Sequence, residues 1–104
     1  MKRDKKKTGR KIIISDYLSE GKYNAKTSKV LRNILGLNRR SLVAAIERER
    51  RDGWPICAST GLNPGYYLAD SADEMYSYIA SLERRVREIE KTIRACKETA
   101  ENLP

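Results

Sequence analysis

Two adjacent arginines, Arg39 and Arg40, follow Asn38 directly and open a stretch that continues to Arg48, Arg50 and Arg51. A guanidinium presents a planar fork of donors that matches guanine O6 and N7, or two oxygens of a phosphate. In the first turn of a helix, such a pair is placed to read base edges in the DNA major groove. Ser41 adds a hydroxyl for a phosphate or base edge, and Val43 or Ala44 can contact a thymine methyl. Arg48 and Arg51, about two turns further on, are placed to hold phosphates. For any one of these arginines taken singly, a solvated surface charge is the plain alternative.

The other residue types argue against catalysis. There is no His, hence no ready general base near neutral pH and no imidazole ligand. Carboxylates are scattered over charged helix faces, and no glycine-rich phosphate loop occurs. Cys57 and Cys96 belong to no CxxC-type ligand pair and read as small, buried, apolar residues of a reduced cytosolic chain. The expectation is a non-enzyme that uses no metal and no cofactor. No apolar run approaches the roughly 18 residues that span a bilayer. Ile12, Ile13 and Ile14 are followed at once by Ser15 and Asp16, so no signal-peptide core forms. A cytoplasmic, nucleoid-associated location in a bacterial host cell follows as an expectation.

Charge placement says more than the net +8. Residues 1–11 carry seven Lys/Arg against one Asp, including Lys5, Lys6 and Lys7. Residues 12–71 carry nine against six, and residues 72–104 six against seven. A basic arm beside a basic central unit suits a polyanion, because released counterions drive binding. The arm has no apolar face with which to enter a membrane, and a solubilising tail is its bland alternative.

The elements that must position these residues are legible from spacing. Residues 1–9 form a polar arm. A first helix is expected from near Arg10 to Gly21, burying Ile13, Ile14, Tyr17 and Leu18. A second starts after Asn24 or Thr27, buries Val30, Leu31, Ile34 and Leu35, and ends at Gly36. Leu37 plugs the corner, Asn38 caps a third helix with Leu42, Ala45 and Ile46 inward, and Asp52-Gly53 ends it. Strands at Trp54–Ser59 and Gly65–Ala69 flank a turn-rich tip from Thr60 to Pro64. Only one of Tyr66 and Tyr67 can face a core. Lys26, Thr27 and Ser28 at the start of the second helix, with Ser59, Thr60 and Asn63 on the hairpin, are further candidates for phosphate contact.

Ser71 and Glu74 form a capping box for a last helix. Apolar residues then fall at Met75, Ile79, Leu82, Val86, Ile89, Ile93, Cys96, Ala100 and Leu103, in alternating steps of four and three. This is a heptad with Ile79, Val86, Ile93 and Ala100 at a, and the others at d. It predicts a dimerising coiled coil in which Ile79, Leu82, Val86, Ile89, Ile93, Cys96 and Leu103 meet a second copy. Branched residues at a favour a parallel pair, which would place Arg85 beside the partner's Glu90, but Ile89 at d and Ala100 at a blur that preference and the direction of pairing stays open. One long amphipathic helix folded over its own domain is the alternative.

The run Leu42-Val43-Ala44-Ala45-Ile46, then Arg50-Arg51-Asp52-Gly53-Trp54-Pro55-Ile56, then Gly65-Tyr66-Tyr67-Leu68, resembles a winged helix-turn-helix pattern. It is similar to the biotin-repressor type, and closer to small winged-helix proteins of phages and prophages. The resemblance covers about residues 10–83. It implies a mainly α fold with a β-hairpin wing over residues 10–70, ahead of the coiled-coil helix at 71–104. One departure stands out: Glu49 falls where such proteins usually carry an apolar residue. The function implied is sequence-specific binding of double-stranded DNA as a homodimer, in transcriptional regulation or replication. The alternative is a protein-interaction module acting on a host protein.

Overall fold

The computed structural model describes residues 12–104, so Lys5, Lys6 and Lys7 lie outside the described residues. Two 3-10 turns, Ile14–Tyr17 and Lys22–Asn24, precede helices α1 (Ser28–Leu35) and α2 (Arg39–Arg51). Strands β1 (Ile56–Ser59) and β2 (Gly65–Leu68) form an antiparallel hairpin, and helix α3 (Ala72–Glu101) follows.

Local signals act as expected from Thr27 onward. Thr27 caps α1 by accepting from the Val30 amide at 3.1 Å. Gly36 ends that helix in the left-handed conformation (φ 68°), which a Cβ would strain. Asn38 opens α2 by accepting from the Ser41 amide at 2.8 Å. Leu37 packs at the corner against the core.

The hairpin is the middle layer. Its register pairs Ile56 with Leu68, Cys57 with Tyr67 and Ala58 with Tyr66, and the period of two sends alternate side chains to opposite faces. Ile56, Tyr66 and Leu68 join Ile14, Leu18, Leu31, Leu42 and Ile46 in the main core. Cys57 and Tyr67 face the other way, against Met75, Tyr78 and Leu82 of α3. The adjacent tyrosines therefore point to opposite faces, only Tyr66 toward the main core, and Tyr67 is packed because α3 supplies a second apolar surface.

The outer edge of β2 is also paired. Lys26 and Tyr66 exchange two backbone bonds of 2.9 and 2.8 Å, and Leu68 exchanges bonds with Ser19 and Gly21 at 2.9 Å. Gly65 permits this approach, since a Cβ there would collide with the Lys26 carbonyl at a φ of 134°.

Three expectations are corrected. The helix expected over residues 10–21 is absent among the described residues; a 3-10 turn stands at Ile14–Tyr17 and Leu18 is extended. Its backbone groups have other partners: the Glu49 carboxylate takes the amides of Ile14 and Ser15, and β2 takes Ser19 and Gly21. Tyr17 is consequently exposed, while Ile14 and Leu18 stay buried. On α1 only Leu31 is buried; Val30 and Ile34 are 44% and 54% exposed, because the 3-10 turn packs on α2 and leaves that side uncovered. Cys57 is buried as expected, but Cys96 is exposed, because α3 has left its own domain by that point.

Candidate nucleic-acid interface

Asn38 and the Gly36 turn set the rotation of α2 about its axis. Leu42, Ala45, Ile46 and Glu49 are buried by that rotation, at a spacing that marks one helical face. Arg39, Arg40, Ser41, Val43, Ala44, Glu47, Arg48 and Arg51 are exposed on the opposite side, in agreement with the wheel. Arg39, Arg40, Val43, Ala44 and Glu47 line one shallow hollow along it. The side chains of Arg39, Arg40, Arg48 and Arg51 make no hydrogen bond or ion pair with other described residues. Their donors are thus presented to solvent, with Glu47 the single carboxylate on that stripe.

The flanking candidates differ among themselves. Lys26 is half-buried; its backbone pairs with Tyr66 and its ammonium donates to the Ser19 hydroxyl at 3.4 Å. The Thr27 hydroxyl is occupied as the cap of α1, and the Ser28 hydroxyl accepts from Arg32 Nε at 3.0 Å. These side chains build the α1 terminus more than they present donors. Lys29, which the sequence reading passes over, is exposed in that first turn. On the hairpin, the Asn63 amide donates to the Tyr23 carbonyl at 3.4 Å and Ser59 donates to the Asn63 carbonyl at 2.7 Å. Thr60 is exposed, and Leu62 projects fully into solvent at the tip.

Two residues support this face from behind, and neither role is legible in sequence, where Glu49 stands out only as a departure from the pattern it resembles. Glu49 is 3% exposed, and its carboxylate accepts from the Ile14 amide at 2.6 Å, the Ser15 amide at 2.9 Å and the Ser15 hydroxyl. A charged acceptor replaces the apolar residue the resemblance expects, and it fastens the segment that carries the basic arm to the last turns of α2. Arg50 donates to the Ile56 carbonyl at 2.8 Å and sets its guanidinium 5.1 Å from the centre of the Tyr78 ring. It therefore ties α2 to the hairpin and to α3 at once. Its charge among so many other arginines gave no sign of this.

The start of α3 is held by a modified capping box. Ser71 accepts from the Glu74 amide at 3.2 Å, but Glu74 reaches the amides of Asp70 (3.0 Å) and Lys22 (3.1 Å). These bonds, that from Asp70 foremost, hold the Glu74 carboxyl below its ordinary value. Burial between the hairpin and α3 pushes Tyr67 up to about 12 and raises Cys57 and Tyr78. Burial thereby favours the protonated form of the Cys57 thiol, which packs among Tyr67, Met75 and Tyr78.

Beyond Leu82 every residue of α3 is exposed. Of the expected dimerisation residues, Ile79 and Leu82 are half-buried, and Leu82 packs on its own hairpin. Val86, Ile89, Ile93, Cys96 and Leu103 stand in solvent. The heptad is thus divided: its first d residues, Met75 and Leu82, are taken intramolecularly, and those beyond Leu82 are uncovered. Among the described residues no helix is long and apolar enough to cross a membrane. Compared with protein-family models, curated proteins and solved structures, the chain matches none.

Proposed function

We propose that the chain is a winged helix-turn-helix protein that binds double-stranded DNA sequence-specifically as a homodimer, in regulation or replication of a phage or prophage. The observation that carries this reading is the exposed stripe of α2. Its unpaired Arg39 and Arg40 occupy the first turn behind a tight Gly36–Asn38 connection, and a hairpin follows directly. Arg39, Arg40, Ser41 and Ala44 face bases in this reading, and Arg48 and Arg51 face phosphates. Lys5, Lys6 and Lys7 of the basic arm contact the neighbouring backbone or minor groove in this reading.

Selection of bound duplexes from a random pool at physiological salt tests specificity. Replacing both Arg39 and Arg40 by Ala is expected to weaken the selected site at least ~30-fold, at about 1 kcal/mol or more per lost guanine contact. The salt dependence is carried by the phosphate contacts, so replacing Arg48 and Arg51 by Ala lowers the slope of log affinity against log salt by about two, while the slope changes little in the Arg39/Arg40 double variant. Unchanged affinity in that double variant would sink the assignment of α2. A second reading, docking on a host protein, draws on exposed Val30, Ile34 and Val43. It takes precedence if no duplex is enriched and low-salt affinity is absent.

A further inference from the structure

We infer that two copies pair antiparallel through the outer part of α3, in a single register, so that their two α2 helices lie at opposite ends of a rod. The inference rests on the homodimer reading above and gives it a surface and a direction. Met75, Tyr78 and Leu82 are committed to the Cys57–Tyr67 face of their own hairpin, so a partner helix cannot occupy the d side of the first two heptads. What remains is a seam of Val86, Ile89, Ile93, Cys96, Ala100 and Leu103. Its large members are 52%, 55%, 47% and 64% exposed at Val86, Ile89, Ile93 and Leu103. The seam spans about 26 Å at 1.5 Å per residue.

Layer volumes choose the direction. A parallel pair stacks each position on itself, so Ala100 meets the partner's Ala100 and leaves a thin layer. It also sets Ile89 at d against the partner's Ile89, a branched residue at the position where two-stranded parallel coils favour Leu. Antiparallel pairing sets a against d instead. One register then uses the whole seam: Val86 with the partner's Leu103, Ile89 with the partner's Ala100, and Ile93 with the partner's Cys96. A large side chain meets a smaller one in each layer, so the volume varies little along the rod.

Charge agrees with this register. On one flank Glu90 comes beside the partner's Lys97, twice by symmetry, and on the other uncharged Thr92 and Thr99 meet. A parallel pair offers Arg85 to the partner's Glu90, so charge permits both directions, and packing decides. Arg85 is already turned to its own domain, where it lines a cleft with Tyr78 and Arg84. The two-fold axis falls between residues 94 and 95. The two Leu82 positions then stand about 38 Å apart along the rod, which suits two separated half-sites.

Disulfide trapping in the full chain tests the register. In a Cys96→Ser background, Ile89→Cys and Ala100→Cys proteins are oxidised singly and as an equal mixture, with circular dichroism to verify helix content. The expected result is a mixed disulfide formed at least ten-fold faster than either homodisulfide. Faster homodisulfides in the separate proteins overturn the antiparallel direction, and a dimer that traps neither way overturns the register. Sedimentation of the parent as a monomer at tens of micromolar removes the homodimer itself. Trapping is carried out without DNA, so failure of DNA recognition leaves its outcome unchanged.

Discussion

Replacing Glu49 probes the contact that most sets this chain apart from the pattern it resembles. The carboxylate is 3% exposed and receives the Ile14 and Ser15 amides at 2.6 and 2.9 Å, with the Ser15 hydroxyl as a third donor. Glu49→Leu keeps most of the volume, supplies the apolar residue the resemblance expects, and orphans two buried amides. Each costs about 1–3 kcal/mol, so a loss of about 4 kcal/mol is expected. That is about a quarter or more of the roughly 5–15 kcal/mol available to a domain. Glu49→Gln keeps one acceptor oxygen and turns an amide N–H toward a donor, for a loss of about 2 kcal/mol. Urea unfolding, followed by circular dichroism and Trp54 fluorescence, measures both. With a slope of about 1–2 kcal/mol per molar, the Leu variant's midpoint falls by about 2–4 M. If Glu49→Leu unfolds within ~0.3 M of the parent, the 3-10 turn is not held by this carboxylate, and the account of why no helix forms there fails with it.

Two further outcomes follow from the hairpin. Gly65→Ala drives a methyl group into the Lys26 carbonyl at a φ of 134°, so the bridge between Lys26 and Tyr66 must open. A loss of at least ~2 kcal/mol is expected, seen as a fall of roughly 10 °C in the melting temperature; an unchanged melt would show that the outer edge of β2 is not held by this pairing. Tyr67 titrates at about 12 when folded against 10 ordinarily. Its folded value is the higher one, so its contribution is intact below pH 10 and is lost as pH rises from 10 to 12. Tyr67→Phe keeps the ring and cannot ionise, so the drop in urea midpoint between pH 9 and pH 11 should shrink; an equal drop would assign the alkaline loss to other groups.

What could be read before folding was the set of local decisions. Thr27, Gly36, Asn38 and Ser71 mark helix ends because a cap is settled by one side chain and the next few amides. The inward face of α2 was legible because Leu42, Ala45 and Ile46 repeat at the helical period. The same reasoning misread residues 10–21, whose apolar spacing fits a helix equally well. There the outcome was settled by Glu49, more than thirty residues away, and by the edge of β2.

The candidate site divides in the same way. Sequence by itself determined that α2 would carry an arginine-rich outer face and that a heptad helix would follow the hairpin, because periodicity within one element needs no partner. Tertiary structure alone decided that Lys26 is held in a backbone bridge with Tyr66 and that Val30 and Ile34 lie open. It also decided where the heptad ceases to be covered, at Leu82, the last residue of α3 that its own hairpin covers. The physical reason is one of range. A cap or an amphipathic stripe is written in neighbouring residues, whereas the partner of a buried carboxylate, or the cover over an apolar face, depends on what the fold brings against it.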